Sequence, residues 1–387
     1  MTLVRLGDVI TSVGGGTPAR ANDSFYGGTI PWVTPKDMKT WEIADSQVRI
    51  TEAGLANSAA RLVPPGSVLI VVRSGVLKHS LPVAVTGASV AINQDMRALV
   101  PTPSIDARYL AHLLRSQAPV ILGWVRATTA DNFSVPRLMD LKIPLPPMDK
   151  QRKIARMLDR AAEIQARRTN AINLLDELGS ASFHAIFDGR EESNPAWAIR
   201  PLGEVADLYA GGTLPPGEPY RDQADGVFLM KVSDMNRAGN EREIKCCALW
   251  TLKGGTAAST CPPGSVVIPK RGGAIGTNKK RITTRPTVLD PNLMAISPRP
   301  ELVTSEYLHS WFERFDLASI SSGSSVPQLN KKDLAPLPIA VPPMSVQDDF
   351  QRRQAAVSRQ RSTLRAHLAS VEVLCASLED RAFSGRL

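Results

Sequence analysis

The chain has 387 residues, 43% of them hydrophobic and 21% charged, and a formal net charge of +9. That length exceeds what one ordinary core holds and predicts two domains, and no apolar run approaches the roughly 20 residues of a membrane helix. Four cysteines without a Cys-x-x-Cys pair and five scattered histidines argue against a disulfide framework and against zinc.

The opening "MTLVRLGDVITSV" lacks the sustained apolar core of a secretory signal, so the expected compartment is the cytoplasm. Further on, "PPGSVLIVVRSG" at 64–75 predicts a Pro-Pro-Gly turn followed by a short buried strand. The spacing of "YLAHLLRSQ" is helical, and the polar stretch "ATTADNFSVPRL" at 127–138 exposes amides and hydroxyls. Then "PLPPMDKQRKI" starts a long helix. Its Pro-Pro pair and Asp149 mark the start and Gly189 the end. Between them Ile154, Met157, Ala161, Ile164, Arg168, Ala171, Leu175, Leu178, Ser182 and Ala185 fall at steps of three and four, the pattern of a coiled-coil seam.

Everything then recurs. A fixed shift carries Leu6-Gly7-Asp8-Val9 onto Leu202-Gly203-Glu204-Val205 and Pro146-Pro147-Met148 onto Pro342-Pro343-Met344. Nearby shifts align "PPGSVVIPKRGG" with the first strand signal, and "EYLHSWFERF" supplies a second short helix. The predicted organisation is a mixed α/β domain over 1–148, a helix over 149–190, a linker over 191–198, a second mixed domain over 199–343 and a second helix over 344–387. The two long helices are expected to pair antiparallel, with approximate two-fold symmetry between repeats; packing of each stripe on its own domain is the alternative.

A pI near 9.5 tilts the partner toward a polyanion. The basic residues concentrate in the second repeat, where Lys270, Arg271, Lys279, Lys280, Arg281 and Arg285 lie in a Gly-rich run; the first offers Arg73, Lys78 and His79. Cations on such loops reach phosphates, and an Arg reaches a guanine edge. The stretches before the long helices add Thr128, Thr129 and Asn132 in one repeat and Ser324, Gln328, Asn330 and Lys331 in the other, although capping segments have the same composition. Two similar domains held by a rod would read two unequal half-sites of duplex DNA, with the rod setting their separation.

These residues resemble the specificity subunit of type I restriction and modification systems over nearly the full length. The motifs are "PLPPMDKQRKIARML" and "VPPMSVQDDFQRR", "VRLGDVITSVGGGTPAR" and "LGEVADLYAGGTLP", "IPWVTPKDM" with "FLMKVSDM", and the closing "AFSGRL". The resemblance implies two target recognition domains and two conserved helices. It also implies an asymmetric bipartite DNA site, docking of two adenine-N6 methyltransferase subunits, and motor and nuclease subunits beyond them. The chain itself would be non-catalytic and bind no cofactor, S-adenosylmethionine being held by the methyltransferase. Gln151, Arg152 and Arg156, with Gln347 and Arg352 in the second copy, are the partner-contact candidates, alongside Lys150 and Lys153. One departure is Phe350 where the first helix has Ile154, which touches the second helix's partner surface.

Other readings are weaker. "NPAW" at 194 lacks the second proline of an adenine methyltransferase motif, and no phosphate-binding Gly-x4-Gly-Lys-Ser/Thr loop is present. Asp234, Glu243 and Lys245 suggest a nuclease set but have no counterpart in the first repeat. A stand-alone DNA-binding regulator of the same duplicated plan remains the alternative function.

Overall fold

The computed structural model describes residues 2–126, 131–188, 197–252, 255–256, 258–321, 327–384 and 386. Thr128, Thr129, Gly189, Asn194, Pro195, Ser324 and Gly385 lie outside them. The chain is mixed α/β with two sheet-rich parts and two long helices, Met148–Phe183 and Met344–Phe383. The first continues through a π-helical turn, His184–Asp188.

Two compact units result, and their boundary falls inside the helices. One contains 1–169 and 366–387, the other 170–365. Each unit therefore takes the start of one long helix and the end of the other.

In the first unit a five-stranded sheet runs in the order Ile10–Gly14, Met96–Pro101, Val68–Val71, Val83–Thr86, Glu42–Ile43. The second unit repeats that order with Ala206–Ala210, Leu293–Pro298, Val266–Pro269, Arg281–Thr283 and Glu243–Ile244. In both, only the last pairing is parallel. The central strands Val68–Val71 and Val266–Pro269 are buried throughout, as their unbroken apolar runs require. Gly66 and Gly264 precede them at φ of 79° and 82°, a conformation that favours glycine and ends the Pro-Pro-Gly turn. A second small sheet and a two-stranded ribbon complete each unit; the ribbons pair Leu3–Arg5 with Lys142–Pro144 and Ala198–Pro201 with Pro338–Val341.

The short helices Ala107–Ser116 and Ser305–Glu313 close the cores. Their N-caps are Asp106 and Thr304, and the buried Tyr109 and Tyr307 each donate to a carbonyl just before a long helix, Pro144 and Ala340. Both expectations for the helical stripe are met, in different stretches. Near its start each helix packs on its own domain, through Ile154, Ala155 and Leu158 in one unit and Phe350 in the other. Farther along, the helices pair antiparallel. In the first unit Arg168 donates to the His367 carbonyl at 2.9 Å, while Phe383, beyond it along the second helix, packs on Tyr109. In the second, Gln354 donates to the Gly179 carbonyl at 2.9 Å and Arg361 pairs with Asp176 at 2.8 Å.

Phe350 is wholly buried against Phe183 and Phe187, which in turn pack on Tyr307 to form one aromatic cluster. The departure from the first helix's Ile154 therefore alters the core of the second unit and leaves the helix exterior unchanged.

Candidate nucleic-acid interface

Two residues beyond the end of each central strand an arginine is tied to the segment preceding the long helix. In the first unit Phe133 donates its N–H to the Val72 carbonyl, Ser74 to the Asp131 carbonyl, and Arg73 is bridged to Asn132. The second unit makes the same set: Leu329 to the Lys270 carbonyl, Gly272 to the Pro327 carbonyl, and Arg271 bridged to Gln328. Residues opposed across a bridge project to one face. Each unit thus places an arginine beside an amide side chain, the two groups best suited to guanine and adenine edges.

The surroundings of the two arginines differ. Arg73 is held by Asp95 at 2.6 Å and Lys78 faces Asp131 at 3.8 Å. At the position of Asp95 the second unit has Asn292, whose carbonyl accepts from the Lys270 N–H as that of Asp95 does from Val72. Burial and the neighbouring charges of Arg271 and Lys331 lower the pKa of Lys270. Lys270 therefore lies near both Arg271 and Lys331, and among the described residues no ion pair relieves these cations.

Asn330 acts as a helix cap. Its amide and backbone N–H both donate to Asp333, and Gln328 donates to its side-chain oxygen at 2.8 Å. Lys331 follows as an exposed first helical residue.

Several cations of the Gly-rich run face inward. Lys280 is 1% exposed and its ammonium donates to the Phe315 carbonyl at 2.8 Å, so it is a core residue and not a phosphate contact. Arg281 is half-buried, donates to the Lys280 carbonyl and is balanced by Glu313 and Glu241. Arg285 donates to the Gln223 carbonyl and lies over the Phe228 ring at 4.6 Å. Lys279 donates to the Asn236 side chain. Arg126, bridged to Asn132 and exposed, joins the first edge; only the long-range pairing brings it there.

The partner-contact candidates divide as well. Gln151 is fully buried: its Oε1 accepts from the Asp106 N–H at 2.9 Å, and its Nε2 donates to the Ser104 and Pro146 carbonyls. Gln347 makes the same three bonds with Thr304, Leu302 and Pro342. Both are therefore structural bolts between a long helix and its domain, which corrects their assignment as contact residues. Arg152, Arg156 and Arg352 are exposed, Arg352 beside Asp349. In the first unit Lys153, Arg156 and Arg160 rim a groove of about 510 Å³ whose floor is Met157, Ala161, Ile164, Val371, Leu374 and Leu378.

The nuclease set is not assembled. Asp234 is buried and accepts from the N–H groups of Lys231 and Ala248, whereas Glu243 and Lys245 pair on the surface. Among the described residues no helix is long and apolar enough to cross a membrane.

Residues 1–174 match the family model described as the type I restriction modification DNA specificity domain. A type I restriction enzyme specificity subunit of Escherichia coli is 35% identical over 158 residues, which is 40% of this chain and 39% of that protein. Another, from Methanocaldococcus jannaschii, is 23% identical over 245 residues, 58% of this chain and 56% of its own length. The matched part thus spans only about two-fifths to somewhat over half of those relatives. Among solved structures, the S subunit of a type I restriction-modification system from M. genitalium gives a TM-score of 0.64 at 14% identity, covering 99% of this chain and 96% of that one. A chain from a structure on complex assembly and conformational transition of the type I R-M system gives 0.59 at 20%, covering 100% and 98%. At those identities the likeness is one of fold. Residues 1–174 thus match a type I restriction modification DNA specificity domain, and the chain as a whole shares the fold of these solved structures.

Proposed function

We propose that the chain recognises an asymmetric, bipartite double-stranded DNA site, one half through each globular domain, and has no chemistry of its own. The observation that carries this reading is the duplicated edge: an arginine bridged to an amide residue at the equivalent place in both units, Arg73 with Asn132 and Arg271 with Gln328. Phosphate contacts around such an edge hold the register, and the Arg and amide groups discriminate bases. The long helices would set the half-site separation and dock two adenine-N6 methyltransferase subunits, to which restriction and motor subunits join. The apolar groove rimmed by Lys153, Arg156 and Arg160 supports the docking, since an amphipathic partner helix with acidic flanks matches it. S-adenosylmethionine belongs to the methyltransferase.

The test is a methylation reaction. Combined with its cognate methyltransferase, S-adenosylmethionine and genomic DNA, the chain should direct N6-methylation to adenines in one split sequence. Methylation that is absent, or the same without the chain, would overturn the reading. Tight footprinting by the chain alone, with no effect on methylation, would favour the regulator.

A further inference from the structure

The two edges share a backbone and differ in how their cations are compensated, and that difference has a consequence for binding. In the first unit Arg73 and Lys78 each face a carboxylate, Asp95 and Asp131; among the described residues, Arg126 is the one cation of that edge without such a partner. In the second unit the corresponding positions hold Asn292 and Pro327, which carry no charge. Asp290 and Asp333 lie nearby, but each accepts from backbone: Asp290 from the Asn292 N–H at 2.7 Å, and Asp333 from the Asn330 N–H at 2.8 Å. Lys270, Arg271 and Lys331 thus form a patch of three cations with no ion pair among the described residues.

An unpaired cation near duplex DNA displaces condensed counterions when it meets a phosphate, so its contribution depends steeply on salt. A guanidinium already neutralised by a carboxylate releases far fewer, but it is held in a fixed orientation, which favours directional hydrogen bonding over general attraction.

We propose that the two domains divide the work of binding: the second supplies most of the salt-dependent hold on the phosphates through Lys270, Arg271 and Lys331, and the first presents Arg73, aligned by Asp95, as a directional base reader. This inference rests on the proposed DNA recognition. The pKa of Lys270 is lowered first by burial and then by the charges of Arg271 and Lys331, the second of which a phosphate would offset.

The experiment measures affinity of the full chain for a random-sequence duplex of about 40 base pairs as a function of KCl, by fluorescence anisotropy. For K270A/R271A/K331A the slope of log K against log[salt] should flatten by about 2.7, roughly 0.9 per lost phosphate contact. For R73A/K78A it should change by less than about 1, and D95N, which frees Arg73, should steepen it by up to about 0.9. Unchanged thermal unfolding of each variant checks the fold. Wild-type chain showing no salt-dependent binding would remove the DNA reading itself. Wild-type binding with equal flattening by the two edge variants, or with no response to D95N, would overturn the division of labour alone.

Discussion

Replacing Gln151 by leucine keeps the side-chain volume near constant and removes every polar contact it makes. Three hydrogen bonds vanish: the Asp106 N–H loses its acceptor, and the Ser104 and Pro146 carbonyls lose their donor. At about 1 kcal/mol net per bond, and with a buried N–H left without a partner, the loss should be about 3 to 4 kcal/mol. Asp106 caps Ala107–Ser116, so the damage should reach the amides of that helix first. Hydrogen exchange followed by mass spectrometry would read it as exchange at least about a hundredfold faster there, given fast reclosing. Helix Ser305–Glu313, bolted by Gln347, is the internal control, and Gln347→Leu should reverse the pattern. A loss below about 1 kcal/mol in the bolted unit would show that water or a rearranged loop satisfies those groups and would refute the reasoning.

Phe350→Ala should cost about 3 to 5 kcal/mol in urea unfolding, because it opens the aromatic cluster around Phe183, Phe187 and Tyr307; a cost under about 1 kcal/mol would contradict the burial. Lys280→Met should lower thermal stability, since the Phe315 carbonyl loses its donor, and leave the salt dependence of DNA binding unchanged; a flattened slope would return Lys280 to the surface. Burial drives the His309 imidazole from 6.5 to about 3, so it is neutral beside Glu313 at neutral pH. A depressed folded pKa of a base gives stability that is full above pH 6.5 and declines as pH falls toward 3, by up to about 1.4 kcal/mol per pH unit. Denaturation of His309→Asn at pH 7, 6 and 5 should show a shallower decline than wild type, and parallel curves would refute the assignment. Reversing charge with R156E on the groove rim should weaken co-elution with the methyltransferase in size-exclusion chromatography; unaltered co-elution would move the docking surface elsewhere.

Much of the architecture was legible in the sequence because the repeat supplies its own control. The Pro-Pro-Gly turns, the unbroken Val and Ile runs behind them and the three-and-four spacing after Pro-Pro-Met are local signals, fixed by backbone preference and by which face must be dry. They predicted the strands Val68–Val71 and Val266–Pro269 and both long helices in place. The helix stripe also contained its two-part use, although spacing alone does not say which turns meet a domain and which meet another helix.

The side-chain roles were less accessible, since charge and polarity are read from composition while burial is set by distant segments. Lys280 and Arg285 look like loop cations until Phe315 and Phe228 are placed against them. Gln151 and Gln347 look like an exposed polar signature until their amides are seen to meet loops more than 40 residues away, 45 and 43 in sequence. Asp95 draws no notice in the sequence, yet only the fold brings its carboxylate to Arg73. By itself the sequence determined a duplicated mixed α/β unit with a long helix, because periodicity and turn chemistry act over a few residues. The tertiary structure decided which of the polar groups are bolts and which remain at the surface, because desolvation depends on neighbours that the chain order does not name.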